Sequence, residues 1–400
     1  MRKLSEFFLL AAFAAACSEP LFDTVPHSVR HDGRPGVETP SAEKHAEEPE
    51  EPEGPTVYAT ALSFPAWAAW KDGDQRSPRV ILFRNGQQVM SVPSSADPER
   101  HRYREDHLWT DRSDGEETVL YRDGEVFFRF PGEEMFRGFS ARGDTVHTLG
   151  QRQGREGFSY RMNGEELFSS PVGTLLGSPY DREWEGGAFS EDLCYSYGIP
   201  VWQGDQLQWE YRVMRGSHTE KVVPADASRT VFDIRHYRGV TYRSELRSGG
   251  MLSLVADETL RQVSTGGEPH LCKLVPLHGE MFIKGYSGSQ PAEYWIRGPG
   301  GVVASETSAY RFYDLYTDGE EKYAVSLTSD GLVRSIWTAQ GNLDIPPGTY
   351  RLATPLCCDF REGVFAAALS NAASDEHILV AGSRRDTVCF NGYFTSLQIR

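Results

Sequence analysis

From Pro55 onward, apolar positions alternate with polar ones at a period of two, and almost no stretch carries helical periodicity. The runs Val80-Ile81-Leu82-Phe83, Val119-Leu120-Tyr121 and Phe158-Ser159-Tyr160 are rich in β-branched and aromatic residues, as half-buried strands are. Asn-Gly or Asp-Gly pairs follow them at Asn85-Gly86, Asp123-Gly124 and Asn163-Gly164, and another stands at Asn391-Gly392. A type I′ turn needs positive φ at both central residues, so such pairs between apolar runs predict tight hairpins. Weaker equivalents are Gly204-Asp205, Asp257-Glu258, Pro299-Gly300-Gly301 and Gln340-Gly341-Asn342. The eight turns are spaced about 44 residues apart on average, which is a repeat.

A second series of polar turns keeps the same beat. It runs through Glu105-Asp106, Gly143-Asp144, Glu191-Asp192, Arg238-Gly239, His278-Gly279, Asp318-Gly319 and Glu362-Gly363. Each repeat therefore reads strand, polar turn, strand, longer loop, strand, Asn/Asp-Gly turn, strand. Four strands per repeat, seven or eight times over, predict an all-β chain folded as a β-propeller of four-stranded blades. Both turn series fit eight units. The last is expected to end in its own outer hairpin, TVCFNGYFTSL (387–397), and VYATAL (57–62) to open the first.

YRDGE (121–125) and YRMNGEEL (160–167) resemble the outer hairpins, of a YxNG-E type, in the uncharacterised β-propeller lipoproteins of the Bacteroidota. The likeness extends in rhythm over most of Pro55–Arg400 and is weakest around QGDQLQWEYRVMRG (203–216). It implies a cell-envelope protein anchored by lipid. The N-terminus reads the same way. Arg2-Lys3 precede the apolar stretch FFLLAAFAAA (7–16), the pattern of a secretory signal peptide and too short for a membrane span, which needs about 20 residues. AAAC (14–17) resembles a lipobox, so residues 1–16 are expected to be removed and Cys17 acylated; two acyl chains suffice for stable anchoring. Ser18 replaces the Asp that favours inner-membrane retention, which points to the outer membrane of a bacterial envelope.

Residues 17–54 read as a tether. Between Ser18 and Gly54, ten carboxylates face three Lys/Arg, and the acidic run EEPEEPE (47–53) is interleaved with proline. Such a composition buries too little apolar surface to offset the entropy of ordering. The domain proper is then 55–400.

The net charge of −16 argues against nucleic acid, whose phosphates need a basic patch. Five cysteines follow Cys17. With Cys272 and Cys357 on first strands two blades apart, and Cys389 on the third strand of the blade that holds Cys357-Cys358, disulfide geometry is not met; buried free thiols are expected. His270, Cys272 and His278 match no zinc spacing, so neither metal nor cofactor is expected. GYSGS (285–289) misplaces the serine of a nucleophile elbow, and no pair of acidic residues is singled out for catalysis.

What remains is surface. The longest insertion, 173–187, and the segment GIPVWQGDQ (198–206) bring Tyr180, Asp181, Arg182, Glu183, Trp184 and Trp202 into one repeat. Aromatic faces beside carboxylates suit a sugar; Trp, Tyr and Arg equally anchor protein contacts. The competing reading is that these rings pack one blade on the next. The sequence thus points to a non-enzymatic binding or scaffold module for a glycan or an envelope protein. The alternative is a polysaccharide hydrolase or lyase working at the channel mouth.

Overall fold

The computed structural model describes residues 55–400 apart from internal segments, of which 65–77, 94–100 and 177–192 are the longest. Eight antiparallel sheets form the blades of a β-propeller. Blade 2, for example, orders its strands from axis to rim as His101–Arg104, His107–Ser113, Glu117–Arg122 and Glu125–Pro131. Turns joining strands 1–2 and 3–4 lie at one end, here the lower. Connections joining strands 2–3, and one blade to the next, lie at the upper end.

The rhyme among the outer hairpins has a mechanical cause. Asn85, Asp123 and Asn163 all take positive φ at the first turn position. Each also clamps the start of its blade's second strand. The Asn163 amide donates to the Val146 carbonyl at 2.8 Å, and its Oδ1 accepts from Val146 N–H at 2.8 Å. Asn85 does the same to Val57 and Asp123 to Leu108, every bond at 2.8 Å. Asp257 repeats the clamp on Thr241 at 3.1 Å, beside a turn in which Glu258 stands at positive φ without any glycine. The residue type is therefore chosen twice, for its tolerance of positive φ and for its side-chain acceptor.

Two hairpin expectations are corrected. Asn391-Gly392 is not an outer hairpin. Blade 8 makes that turn at Gly382, whose amide donates to Phe365 O at 2.9 Å, and its rim strand Arg384–Cys389 ends before Asn391. Gly392–Ile399 then crosses to blade 1 and becomes its innermost strand, paired with Val57–Ser63 from Val57↔Ile399 to Ser63↔Gly392. VYATAL accordingly lies on the second strand of blade 1. The last strand closes the ring, and Arg400 stacks over Tyr58 and Tyr103, 5.4 and 4.8 Å from the ring centroids.

Gly204-Asp205 is also reassigned. It joins strands 2 and 3 of blade 4, whereas the outer turn is Gly216-Ser217, with Gly216 N donating to Leu193 O at 3.3 Å in the clamp position.

The core lies between blades. Leu149, Phe158 and Tyr160 of blade 3 pack on Tyr195, Tyr197 and Met214 of blade 4; Val213 and Val223 of blade 4 pack on Val231 and Ile234 of blade 5. Cys194, Cys272, Cys357 and Cys358 are buried and form no disulfide. Cys389 departs from expectation: it is exposed and ends the fourth strand of blade 8, where a side chain facing outward from the rim meets solvent.

Candidate functional site

Blade 4 carries the feature that distinguishes the upper end. Its second and third strands, Cys194–Gln203 and Gln206–Arg215, are ten residues each and pair without a break from Cys194↔Arg215 to Gln203↔Gln206. The lower half is core: the Tyr197 ring lies 4.8 Å from Phe158, and Tyr195 lies 6.0 Å from Tyr160. Above Gly198 the two strands leave the blade body as a ribbon closed by Gly204, which adopts φ +63°.

Period-two alternation splits this ribbon into unlike faces. One face carries the direct pairs Trp202↔Leu207, Pro200↔Trp209 and Gly198↔Tyr211. The other carries Gln203, Gln206, Gln208 and Glu210, the last bonded to Arg212 at 3.1 Å, with the half-buried Val201 and Ile199 opposite Gln208 and Glu210. Gly198 has a specific job: a β-carbon there would stand 3.1 Å from the Trp209 ring and 3.2 Å from Tyr211, so its absence lets both rings lie against the strand. Trp202 is 70% exposed, Trp209 39% and Leu207 36%. Among the described residues, no other stretch of this length holds three exposed large apolar side chains. Isolated exposed apolar residues are ordinary; a contiguous set on a projection marks a contact surface.

The apolar face continues downward through Tyr211 into Val213, which packs against blade 5. Burial pushes the Tyr211 hydroxyl up to about 12 against the opposing pull of Arg229, so this ring is neutral at physiological pH. Blade 5 has only the short connection Ser248-Gly249-Gly250 at this level, joining Val240–Arg247 to Met251–Ala256.

Of the six residues expected at the site, Trp202 lies at the ribbon tip, and it is exposed rather than packed between blades. Tyr180, Asp181, Arg182, Glu183 and Trp184 lie outside the described residues. Leu193, where description resumes, sits beside the Gly216 turn, at the end of the blade opposite Trp202. Leu207 and Trp209 were missed by sequence reasoning. The signal was the period-two series Leu207, Trp209, Tyr211, which mirrors Gly198, Pro200, Trp202 across the turn.

Two buried carboxylates on inner strands hold neighbouring blades together. Asp233 Oδ2 accepts from Leu274 N at 3.0 Å in the next blade, and Asp359 Oδ2 accepts from Ile399 N at 2.8 Å. Buried His147 meets the Tyr160 hydroxyl through Nδ1 at 2.9 Å. Among the described residues, no group of three or more His, Cys, Asp or Glu is placed to hold a metal ion.

No family model matches the sequence, and no curated protein does. Among solved structures, the chain is similar to the dihydro-heme d1 dehydrogenase NirN in complex with DHE: 10% identity, 86% of this chain and 74% of that one covered, TM-score 0.50. It is also similar to BamB from Moraxella catarrhalis, at 11% identity over 78% of this chain and 91% of that one, TM-score 0.40. At such identities the likeness is one of fold.

Proposed function

We propose that the protein is a non-enzymatic binding or scaffold module, lipid-anchored to the outer membrane through Cys17. Its blade-4 ribbon engages another protein of the cell envelope. The carrying observation is the exposed row Trp202, Leu207 and Trp209 on one face of a projecting hairpin. A glycan platform would set hydrogen-bonding groups beside the rings. Here the glutamines lie on the opposite face, and the ribbon is a finger rather than a trough. An apolar finger fits a groove on a protein, where Trp is a characteristic anchor. The enzymatic alternative is weakened because Asp233 and Asp359 are already bonded to neighbouring strands.

The test is photo-crosslinking in the native envelope, with the full chain carrying a photoreactive residue at position 202 or at 208. A discrete adduct from 202, absent from 208 and absent when Trp209→Ser is added, supports the reading. Equal labelling from both faces would sink it. So would retention of the protein on a polysaccharide gel that Trp202→Ala abolishes, since that makes the ligand a glycan. Release of the Cys17→Ala chain into the soluble fraction is the expected sign of the anchor; a chain that stays with the membrane would remove that part.

A further inference from the structure

A second site lies at the other end of the molecule and does not rest on the ribbon. The lower ends of three inner strands, Pro269–Leu277 of blade 6, Arg311–Thr317 of blade 7 and Cys358–Arg361 of blade 8, converge on a pocket of about 260 Å³. A cavity of about 150 Å³ already holds benzene, so this one has room for a substituted ring and not for a long chain. Val275, Ile296 and Leu315 give it apolar walls, and Tyr316 and Phe360 add ring surface.

Its charges are Lys284, Arg361 and Asp359. Asp359 is committed: Oδ1 accepts from Phe360 N at 2.9 Å and Oδ2 from Ile399 N at 2.8 Å. Lys284 Nζ lies 5.1 Å from the Tyr316 ring centroid, at cation–π distance. Arg361 is the informative residue. It stands two positions after Asp359, as Arg235 stands two after Asp233. Arg235 is 6% exposed and bonds Asp233 Oδ2 through Nε at 3.0 Å. The Arg361 side chain is 47% exposed, its Nε is 3.7 Å from Asp359, and it makes no hydrogen bond to another described residue. The same local pattern is closed on itself in blade 5 and open to the pocket in blade 8.

We infer that this pocket binds a small organic carboxylate with a ring-sized apolar body. Arg361 lines this pocket with a side chain that is 47% exposed and only loosely held by Asp359 at 3.7 Å, and a guanidinium so placed selects an anion. A guanidinium with open donors matches a carboxylate's two oxygens in a bidentate fork. The carboxylate could belong to a free acid or to a terminal uronic acid of a glycan.

The test titrates the protein with benzoate and with glucuronate, each beside its neutral counterpart, benzamide and glucose, by calorimetry or ligand-observed NMR. Saturable binding of at least one acid with Kd of order 1 mM or tighter is expected, with at least about a tenfold preference over the neutral partner. Arg361→Gln should weaken it about tenfold or more, and Leu277→Trp, at the half-buried rim, should block it. Arg261→Gln, on the rim strand of blade 5, should leave it unchanged, and thermal melts establish that each variant is folded. Preference for benzoate alone identifies free acids, and preference for glucuronate a glycan terminus. Equal binding of acid and neutral compound overturns the proposal. So does undiminished binding in folded Arg361→Gln or Leu277→Trp, or no binding of either acid.

Discussion

Blades 3 and 4 are neighbours with matching lower frames and different upper ends. Aligned on their clamp, Asn163 corresponds to Gly216 and Val146 to Leu193. Blade 3 makes the clamp with backbone and side chain; blade 4 has only the backbone bond, at 3.3 Å. In that register Gly150 corresponds to Tyr197. A β-carbon at 150 would collide with the Glu134 carboxylate, which fills the space and pairs with Arg161. Blade 4 fills it with an aromatic ring instead. One frame is thus built on a buried ion pair and the other on rings, yet both support the same strand pairing. Above Gly198 blade 4 continues where blade 3 stops. The difference teaches that order in a blade is fixed below, so the upper end is free to carry a recognition device.

The strongest test of that division is in blade 3. Glu134 is buried and accepts from Arg161 Nη2 at 2.9 Å and Nε at 3.3 Å, while Arg161 lies 4.2 Å over the Phe130 ring of blade 2. Glu134→Ala leaves a buried guanidinium held by the rim partner Glu166 and a long bond to the Gly164 carbonyl, and should cost about 3 kcal/mol in urea unfolding. A loss below about 1 kcal/mol would mean that the frame does not depend on the pair. Replacing both partners with apolar residues should cost less than removing one, because no charge is stranded.

A smaller effect separates the blades by pH. His147 of blade 3 corresponds to Cys194 of blade 4 in the shared register. Burial, reinforced by Arg142, holds the His147 imidazole below its ordinary 6.5. The unfolded chain therefore takes up a proton as pH falls through 6.5 while the folded one resists, so stability is lost below that pH. Asp233 acts oppositely: burial pushes its carboxyl up to about 6 from 3.8, so stability is regained as pH falls through that window. His147→Cys, borrowing the blade-4 residue, should remove the first contribution and leave the second. Denaturant melts on either side of pH 6.5 should then show less acid destabilisation than in the parent. An unchanged pH profile would show that His147 titrates freely in the folded state.

Much of this frame could be read from residue order, because each turn carries its own chemistry. Asn163-Gly164 announces positive φ locally. The two misassigned turns failed for reasons that local chemistry does not contain. Asn391-Gly392 looks like a hairpin, but Gly392–Ile399 finds its partner across the ring at Val57–Ser63. Gly204-Asp205 is a true hairpin turn, displaced upward by the added length of the ribbon, so the repeat count held while its position within the blade did not. Trp202 stood out as an aromatic residue in a long segment. Its partners Leu207 and Trp209 required the pairing register and the exposure. The pocket was invisible for a stronger reason. Lys284, Tyr316 and Arg361 come from three repeats, and only ring curvature brings them together.

The smallest stability change should come from the largest cut. Replacing Pro200–Trp209 with Asn-Gly would close blade 4 directly on its Ile199↔Glu210 pair, in the loop type that blade 3 uses at its outer turn. The residues removed include the three most exposed apolar side chains of the ribbon, and what remains is the part packed on blades 3 and 5. Shortening the loop lowers its closure entropy slightly, while the half-buried Pro200 and Val201 lose some packing. The two offset, and the net change should stay within about 1 kcal/mol. The same variant should lose every adduct that a photoreactive group at 202 gives in the parent. A variant that melts far below the parent would place the ribbon within the frame and end the division between them. A variant that folds and still captures the same partner through other residues would move the recognition surface elsewhere on the upper end.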